Sequence, residues 1–106
     1  MADYIPPNED WVREQVELYE SSEGTEGSTL RDTGMQCIIV THVGRKTGAL
    51  RKIPLMRVEV DSSYVLVGSK GGNPSNPSWV YNLRANPDVE IRDETEVFKM
   101  RVREVG

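Results

Sequence analysis

Apolar residues recur at helical spacing near the start of the chain. The stripe consists of Trp11, Val12, Val16, Leu18 and Tyr19. This spacing is typical of a helix with one buried face. Asn8 precedes the stripe and suits an N-cap, and Glu9 and Asp10 would occupy the first turn, where the helix dipole favours acids. The pattern therefore predicts an amphipathic helix that is capped by Asn8.

The next segment, Ser21 to Ser28, contains neither an apolar residue nor a periodic pattern. Its serines, glycines and glutamates are typical of connecting segments. We expect a mobile loop here, and a plain linker is favoured over a lid.

Strand patterns dominate the rest of the chain. Met35 to His42 contains the run Cys37-Ile38-Ile39-Val40, which is apolar on both faces and therefore predicts a central strand. Arg51 to Val60 is the next predicted strand. Because proline cannot donate to a strand ladder, Pro54 marks this strand as an edge or a bulge. Tyr64 to Gly68 should form a hairpin with it through a turn at residues 61–63.

A second, shorter helix is predicted after this hairpin. Asn76-Pro77 combines a cap residue with a proline in the first turn, and Asn86-Pro87 would end the helix. Trp79, Val80 and Leu83 should then face the core. In the final stretch the alternation puts one set of side chains inward, namely Phe98, Met100 and Val102.

These elements predict one small domain of 106 residues with a mainly β (α+β) fold. The antiparallel strands would form a small barrel, with both helices packed outside it. Residues 1–34 would supply the first helix and the loop, and residues 35–106 the barrel.

Positive charge is concentrated in the middle of the chain. The protein has a formal net charge of −4, yet residues 44–58 carry five basic side chains and no acid. The five are Arg45, Lys46, Arg51, Lys52 and Arg57. Because cations and exposed glycine backbone favour anions, the turn Gly44-Arg45-Lys46-Thr47-Gly48 predicts an anion-binding site.

Composition excludes several classes of function. Cys37 is the only cysteine and His42 the only histidine, so neither an internal disulfide nor a dedicated zinc site can form. No apolar run is long enough to span a membrane, and the N-terminus does not resemble a signal peptide, so we expect a cytoplasmic protein. The overall acidity argues against a general nucleic-acid binder.

The anion site is not one of the common nucleotide sites. Neither a P-loop spacing nor a Gly-x-Gly-x-x-Gly motif occurs in the chain. Gly68-Ser69-Lys70-Gly71-Gly72 offers further backbone N–H groups and a cation, but Ser69 has no evident base that would make it a nucleophile. His42 and Cys37 are expected to be structural. A chain with an anion site and few reactive groups predicts a ligand that supplies the chemistry itself.

Four blocks in register resemble the deazaflavin (coenzyme F420)-dependent nitroreductase family of actinobacteria. They are Gly44 to Gly48, then Arg51 with Pro54-Leu55, then Ser69 to Gly72, and lastly Asn76-Pro77 to Asn86-Pro87. The resemblance implies a split β-barrel that binds coenzyme F420. It also implies hydride transfer from reduced F420 to an electron-poor acceptor such as a quinone, an enone or a nitroaromatic compound.

The resemblance further implies which residues hold the cofactor. The phosphate and the acidic oligoglutamate tail would be bound by Arg45, Lys46, Thr47 and Arg51. One side of the deazaflavin ring would be lined by Lys52, Ile53, Pro54, Leu55 and Met56. Hydrogen bonds would come from Val67, Gly68, Ser69 and Lys70. The short helix would border the ring and its ribityl chain with Ser78, Trp79, Val80, Tyr81 and Asn82. No catalytic residue is assigned.

The sequence is also compatible with other functions. The chain could bind deazaflavin without turnover, as a carrier or store, or it could bind flavin mononucleotide or haem on the same barrel. The resemblance implies a further helix and a final strand beyond the position of Gly106, where the given sequence stops, so it assigns no substrate-side residue in this sequence. An edge strand left uncovered would favour pairing with a second copy of the chain. Peripheral contact with a membrane is conceivable, but the acidic first helix does not favour it.

Overall fold

The computed structural model describes residues 4–29, 34–61, 63–66 and 78–103, and the following bounds refer to these residues. The helices are α1 (Asp10–Ser21) and α2 (Ser78–Ala85). The strands are β1 (Cys37–Val43), β2 (Leu50–Met56), β3 (Glu59–Val60), β4 (Ser63–Tyr64), β5 (Asp88–Asp93) and β6 (Glu96–Arg101).

Four strands form one antiparallel sheet in the order β2-β1-β5-β6. The predicted central strand is confirmed, because β1 lies between two neighbours and residues 37–40 are all almost fully buried. Pro54 lies on β2 at the edge of this sheet, as its missing N–H group predicts. The predicted hairpin is present in a shorter form. The strand predicted over Arg51 to Val60 is divided into β2 and β3, and only β3 pairs with β4, which starts at Ser63 and ends at Tyr64. Within the described residues the strands form a sheet and a hairpin, and no ladder closes them into a barrel.

The two helices cover opposite faces of the sheet. Because neighbouring residues of a strand point to opposite faces, Cys37 and Ile39 pack with Val16 and Tyr19 of α1. On the other face, Ile38 and Val40 pack with α2 and β5 through Trp79, Leu83, Val89 and Ile91. The fold therefore has a helix, sheet and helix layering, and β1 contributes to both cores.

The first helix differs in two details from its prediction. Its N-cap is Glu9 rather than Asn8, because the carbonyl of Glu9 accepts the first helical hydrogen bond, from the N–H of Arg13 at 3.0 Å. The Glu9 carboxylate accepts from Trp11 Nε1 at 2.9 Å and caps no backbone N–H group. Leu18 was predicted in the buried stripe but is 47% exposed, because the contact with the sheet is made by Val16 and Tyr19.

The segment predicted as a mobile loop forms hydrogen-bonded turns at the end of α1. The hydroxyl of Ser22 accepts from the N–H of Glu26 at 2.9 Å, and Gln15 Nε2 donates to the carbonyl oxygen of Thr29 at 2.8 Å. Gly24 has a φ of +86° and lies against the β5–β6 turn so closely that a Cβ atom would be 1.6 Å from the Glu94 carbonyl oxygen. This glycine lets the end of α1 pack directly on the turn.

The end of the chain combines a confirmed helix with a strand that the pattern missed. Trp79 and Leu83 are buried in α2, which ends at Ala85, just before Asn86-Pro87. Asn76-Pro77, the predicted start of this helix, lies outside the described residues. The strand β5 was not predicted, although Val89 and Ile91 alternate with charged residues there and are buried. Met100 and Val102 pack against the core as predicted, whereas Phe98 remains 37% exposed.

Candidate functional site

A cleft of about 540 Å³ lies where the β1–β2 turn, the first turn of α2 and the segment leading into α1 meet. Eight of its lining residues were predicted as site residues: Arg45, Lys46, Thr47, Arg51, Lys52, Ile53, Trp79 and Asn82. The cleft therefore brings the basic turn together with the short helix, although the two are about 30 residues apart in the chain.

Other predicted site residues lie elsewhere. Pro54 is buried on the sheet face that packs against α1, Leu55 and Val80 pack against the core on the α2 face, and Met56 is 41% exposed at the end of β2. Tyr81 does not line the cleft but contacts one of its arginines, and Ser78 is the first residue of α2. Val67, Gly68, Ser69 and Lys70 lie outside the described residues, so their part in the site stays a prediction.

The basic turn between β1 and β2 is held by its own backbone. Gly44 N–H donates to the Ala49 carbonyl oxygen at 2.8 Å, and Gly48 N–H donates to the Gly44 carbonyl oxygen at 2.9 Å. The Thr47 hydroxyl accepts from Ala49 N–H at 3.1 Å. Gly48 has a φ of +73°, which glycine adopts at little cost. The amide groups of Lys46 and Thr47 donate to no acceptor within the described part of the chain. They are thus available to an anion.

Asn82 of α2 connects this turn to the helix. Its side-chain oxygen accepts from the Arg45 backbone N–H at 3.0 Å and from Arg45 Nη1 at 2.9 Å, and the residue is only 8% exposed. The Arg45 guanidinium also lies 5.3 Å from the centre of the Tyr81 ring, within the range of a cation–π contact. Arg45 is therefore oriented by two successive residues of α2.

Arg51 and Lys52 are neighbours on β2 but point to opposite faces of the sheet. Arg51 is the cross-strand partner of His42, on the face covered by α2. Lys52 forms an ion pair with Glu20 of α1, which also binds Arg92. Within the described residues, Lys46 and Arg51 form no ion pair, so their charges are not neutralised by a neighbouring carboxylate.

His42 lies in the wall of the cleft and is 3% exposed. Burial lowers its pKa, and the nearby charge of Arg51 lowers it further, so the imidazole is neutral at pH 7. Its Nδ1 is 3.3 Å from the Val40 carbonyl oxygen. We expected a structural role for this residue, and its burial agrees with that role, while its position also brings a neutral ring to the site.

One wall of the cleft is formed by residues that were not predicted as site residues. This wall is formed by Pro7, Asn8, Glu9 and Val12. These residues reach the site because the N-terminal segment runs beside β2, where Ile5 N–H donates to the Leu50 carbonyl oxygen at 2.9 Å. Contacts between residues more than 40 positions apart leave no local signal in one sequence, so this wall could not have been predicted from the pattern.

Comparison with known proteins identifies the class to which this fold and cleft belong. Residues 11–106 match the family model described as F420H(2)-dependent quinone reductase, and the chain belongs to this family. Two curated relatives, F420H(2)-dependent quinone reductases of Mycobacterium tuberculosis strains CDC 1551 / Oshkosh and ATCC 25618 / H37Rv, are each 33% identical over 88 residues. The alignment covers 83% of this chain and 58% of each relative, so the chain spans little more than half of their length.

Two solved structures are also similar to this chain in sequence and in fold. One, described as the structure of an F420-H2 dependent reductase (FDR-A), is 44% identical with a TM-score of 0.55, over 59% of this chain and 55% of the other. A second, described as a domain-swapped dimer, is 42% identical with a TM-score of 0.58, over 85% of this chain and 66% of the other. The family that the sequence resembles is thereby confirmed.

Neither helix in the described part of the chain, α1 or α2, is long and apolar enough to cross a bilayer.

Proposed function

We propose that this chain binds coenzyme F420 in the cleft and, with the reduced cofactor, transfers a hydride to a quinone or another electron-poor acceptor. The observation that carries the proposal is the arrangement of the cleft, in which Lys46 and Arg51, which form no ion pair within the described residues, lie near an apolar wall. Membership of the family and the similarity to F420H(2)-dependent quinone reductases and to an F420-H2 dependent reductase support it.

The polar end of the cleft fits the anionic part of F420, which has a phosphodiester and several carboxylates. Lys46 and Arg51 are not paired with acids of the described chain, and the amide groups of Lys46 and Thr47 lack acceptors there. A guanidinium and an ammonium group beside free backbone donors are well suited to phosphate and carboxylate oxygens. We assign these residues to binding of the phosphate and the tail.

The apolar end of the cleft fits a flat ring. Ile53 and Trp79 lie on the α2 side of the sheet and both line the cleft, and Trp79 belongs to the core, so its indole ring is fixed in place. A rigid wall of this kind orients a planar ligand and excludes water from one of its faces. Of the predicted ring-binding strand residues, Ile53 therefore has the strongest support.

Bound F420, when reduced, supplies a hydride at low potential. The described residues of the chain supply the binding and the orientation: cations at one end and an apolar wall at the other. Reactive side chains are scarce in the sequence, as expected if the cofactor supplies the chemistry and the protein supplies the binding.

Binding is tested by titrating the protein with F420 and following the cofactor's absorbance or fluorescence. We expect micromolar affinity that weakens with added salt, because the contacts are ionic. Arg51→Ala should lower the affinity about tenfold, which is the loss of one charge-assisted contact. Arg101→Ala is the matched control, because Arg101 is an exposed arginine of β6 outside the cleft. Equal losses in both variants, or equal affinity for flavin mononucleotide, would contradict the proposal.

Turnover is tested separately, because a carrier or storage protein would also bind F420. The purified protein is mixed with reduced F420 and menadione, and the return of the oxidised cofactor's absorbance is compared with the uncatalysed rate. A rate above background that falls in Arg51→Ala supports a reductase. Tight binding without acceleration would instead identify a carrier.

We also predict that the chain forms a homodimer. No described strand pairs with the outer side of β6, and an uncovered edge favours pairing with another chain. One of the similar solved structures is a domain-swapped dimer. Size-exclusion chromatography with light scattering measures the mass in solution directly.

A further inference from the structure

The Asn82 side chain has a fixed orientation. Both groups that approach its oxygen, the Arg45 backbone N–H and Arg45 Nη1, are donors, and an arginine side chain has no acceptor to offer. The amide oxygen must therefore face Arg45, and rotating the amide by half a turn would place two donors against two donors. Because Asn82 is 8% exposed, water cannot easily replace these bonds.

These two bonds join α2 to the point where the basic turn begins. The hydrogen bonds among Gly44, Thr47, Gly48 and Ala49 that the described residues show stay within the turn itself and do not fix its position relative to the helix. Asn82 fixes the position of the turn relative to the helix, because it accepts hydrogen bonds from both the backbone and the side chain of Arg45. Tyr81 adds a contact to the same guanidinium from the adjacent position of α2.

We propose that Asn82 is a positioning residue that holds Arg45 and the basic turn against α2, so that the turn is preorganised for the anionic part of the ligand. This inference rests on the proposed binding of F420 and differs from the role implied by the family resemblance, in which Asn82 borders the ring and its ribityl chain. A ligand that meets a preformed turn loses less affinity to ordering than one that must fix the turn itself.

The two roles predict different ligand dependence. If Asn82 positions the turn, Asn82→Ala should weaken binding of F420 about fivefold, the loss expected for part of a charge-assisted contact, and leave a deazaflavin without phosphate and tail unaffected. Asn86→Ala is the matched control, since Asn86 follows the end of the same helix and does not line the cleft. An equal loss for both ligands would overturn the proposal in favour of a ring contact.

A double-mutant cycle tests the coupling between the two residues. Asn82→Ala should cost less affinity for F420 in the Arg45→Ala background than in the wild-type protein, because the guanidinium that it positions is already gone. Strict additivity of the two losses would contradict the proposal. Thermal unfolding of each variant shows that the comparison is made between folded proteins.

A measurement without cofactor separates this proposal from the proposed function. Amide hydrogen exchange of Arg45, followed by NMR in the free protein, should become at least about tenfold faster in Asn82→Ala and stay unchanged in Asn86→Ala. Unchanged exchange in Asn82→Ala would refute the positioning role even if F420 binds. If the wild-type protein bound no F420, the proposed function would fail and the ligand part of this inference with it, whereas faster exchange would still establish that Asn82 holds the turn.

Discussion

The ion cluster around Glu20 joins the first helix to the sheet. One carboxylate oxygen of Glu20 binds Lys52 Nζ on β2, and the other accepts from Arg92 Nε on β5 at 2.5 Å. The three side chains are only 22%, 23% and 19% exposed, in the order Glu20, Lys52 and Arg92. Replacing the carboxylate by Glu20→Gln would leave two cations mostly buried without an anion.

The magnitude follows from this burial. Removing one partner of a fully buried pair costs about 3–5 kcal/mol, and an exposed pair contributes about 1 kcal/mol or less. The cluster lies between these limits, and glutamine keeps the size of the side chain and one acceptor oxygen. We therefore expect the free energy of unfolding to fall by about 2 kcal/mol at pH 7, which lowers the melting temperature by about 8 °C for a domain of this size.

Urea unfolding followed by circular dichroism measures this loss. Glu17→Gln is the matched control because Glu17 is an exposed glutamate on the same helix, and it should change the stability by less than about 0.5 kcal/mol. Equal effects of the two substitutions, or no effect of Glu20→Gln, would refute the reasoning that the cluster holds α1 on the sheet.

The same cluster should give a pH-dependent difference between the two proteins. Burial alone would raise the pKa of Glu20, but the hydrogen bonds and charges of Lys52 and Arg92 outweigh it and hold the pKa below the ordinary value of 4.5. A carboxyl group whose pKa is lower in the folded state stabilises the fold fully above its unfolded pKa. The advantage of the wild type over Glu20→Gln should thus persist above about pH 4.5 and disappear as the pH falls through the folded pKa.

Two other substitutions test buried polar groups. The Tyr19 hydroxyl donates to the Cys37 carbonyl oxygen at 3.0 Å and accepts from Glu94 N–H at 2.6 Å, so Tyr19→Phe should lower the free energy of unfolding by about 1–2 kcal/mol. Tyr81→Phe, at an exposed ring, is the control, and equal losses in urea unfolding would contradict this prediction. Burial lowers the pKa of His42 from its ordinary value of 6.5. The stability that the neutral imidazole gives the folded state is therefore fully present above pH 6.5 and is lost as the pH falls through the folded pKa. Stability measured between pH 7 and pH 5 should therefore fall more steeply in the wild type than in His42→Gln, and parallel curves would exclude a buried neutral imidazole.

Local patterns predicted the parts of the fold that depend on neighbours in the chain. The apolar run from Cys37 to Val40 indicated a central strand because a strand buried on both faces needs apolar residues at every position. Pro54 indicated an edge because it lacks a donor. β5 was not predicted, although Val89 and Ile91 alternate with charged residues in the way that is typical of a half-buried strand. Leu18 was placed in the core because helical spacing does not reveal how narrow the contact with the sheet is.

The candidate site was predictable to a similar extent. The basic turn could be recognised from its own residues, and the family resemblance added Trp79 and Asn82, which the structure brings to the same cleft. The hydrogen bond from Arg45 to Asn82 joins residues 37 positions apart, so no local pattern in the sequence predicts it. The same is true of the wall supplied by the segment before α1, which depends on where the chain folds back along β2.

The number of basic residues in a sequence therefore does not show how many of their charges are available to a ligand. Arg51 and Lys52 look equivalent in the basic run, but strand alternation gives them opposite surroundings. Lys52 is neutralised by Glu20, so its removal should mainly affect the attachment of α1, whereas Arg51 forms no ion pair with the described residues and keeps its charge for the cleft. Because Glu20 holds Lys52, which also lines the cleft, and Arg51 extends from the opposite face of β2, the affinity for an anionic ligand can change through Arg51 while the cluster that holds the helix remains intact.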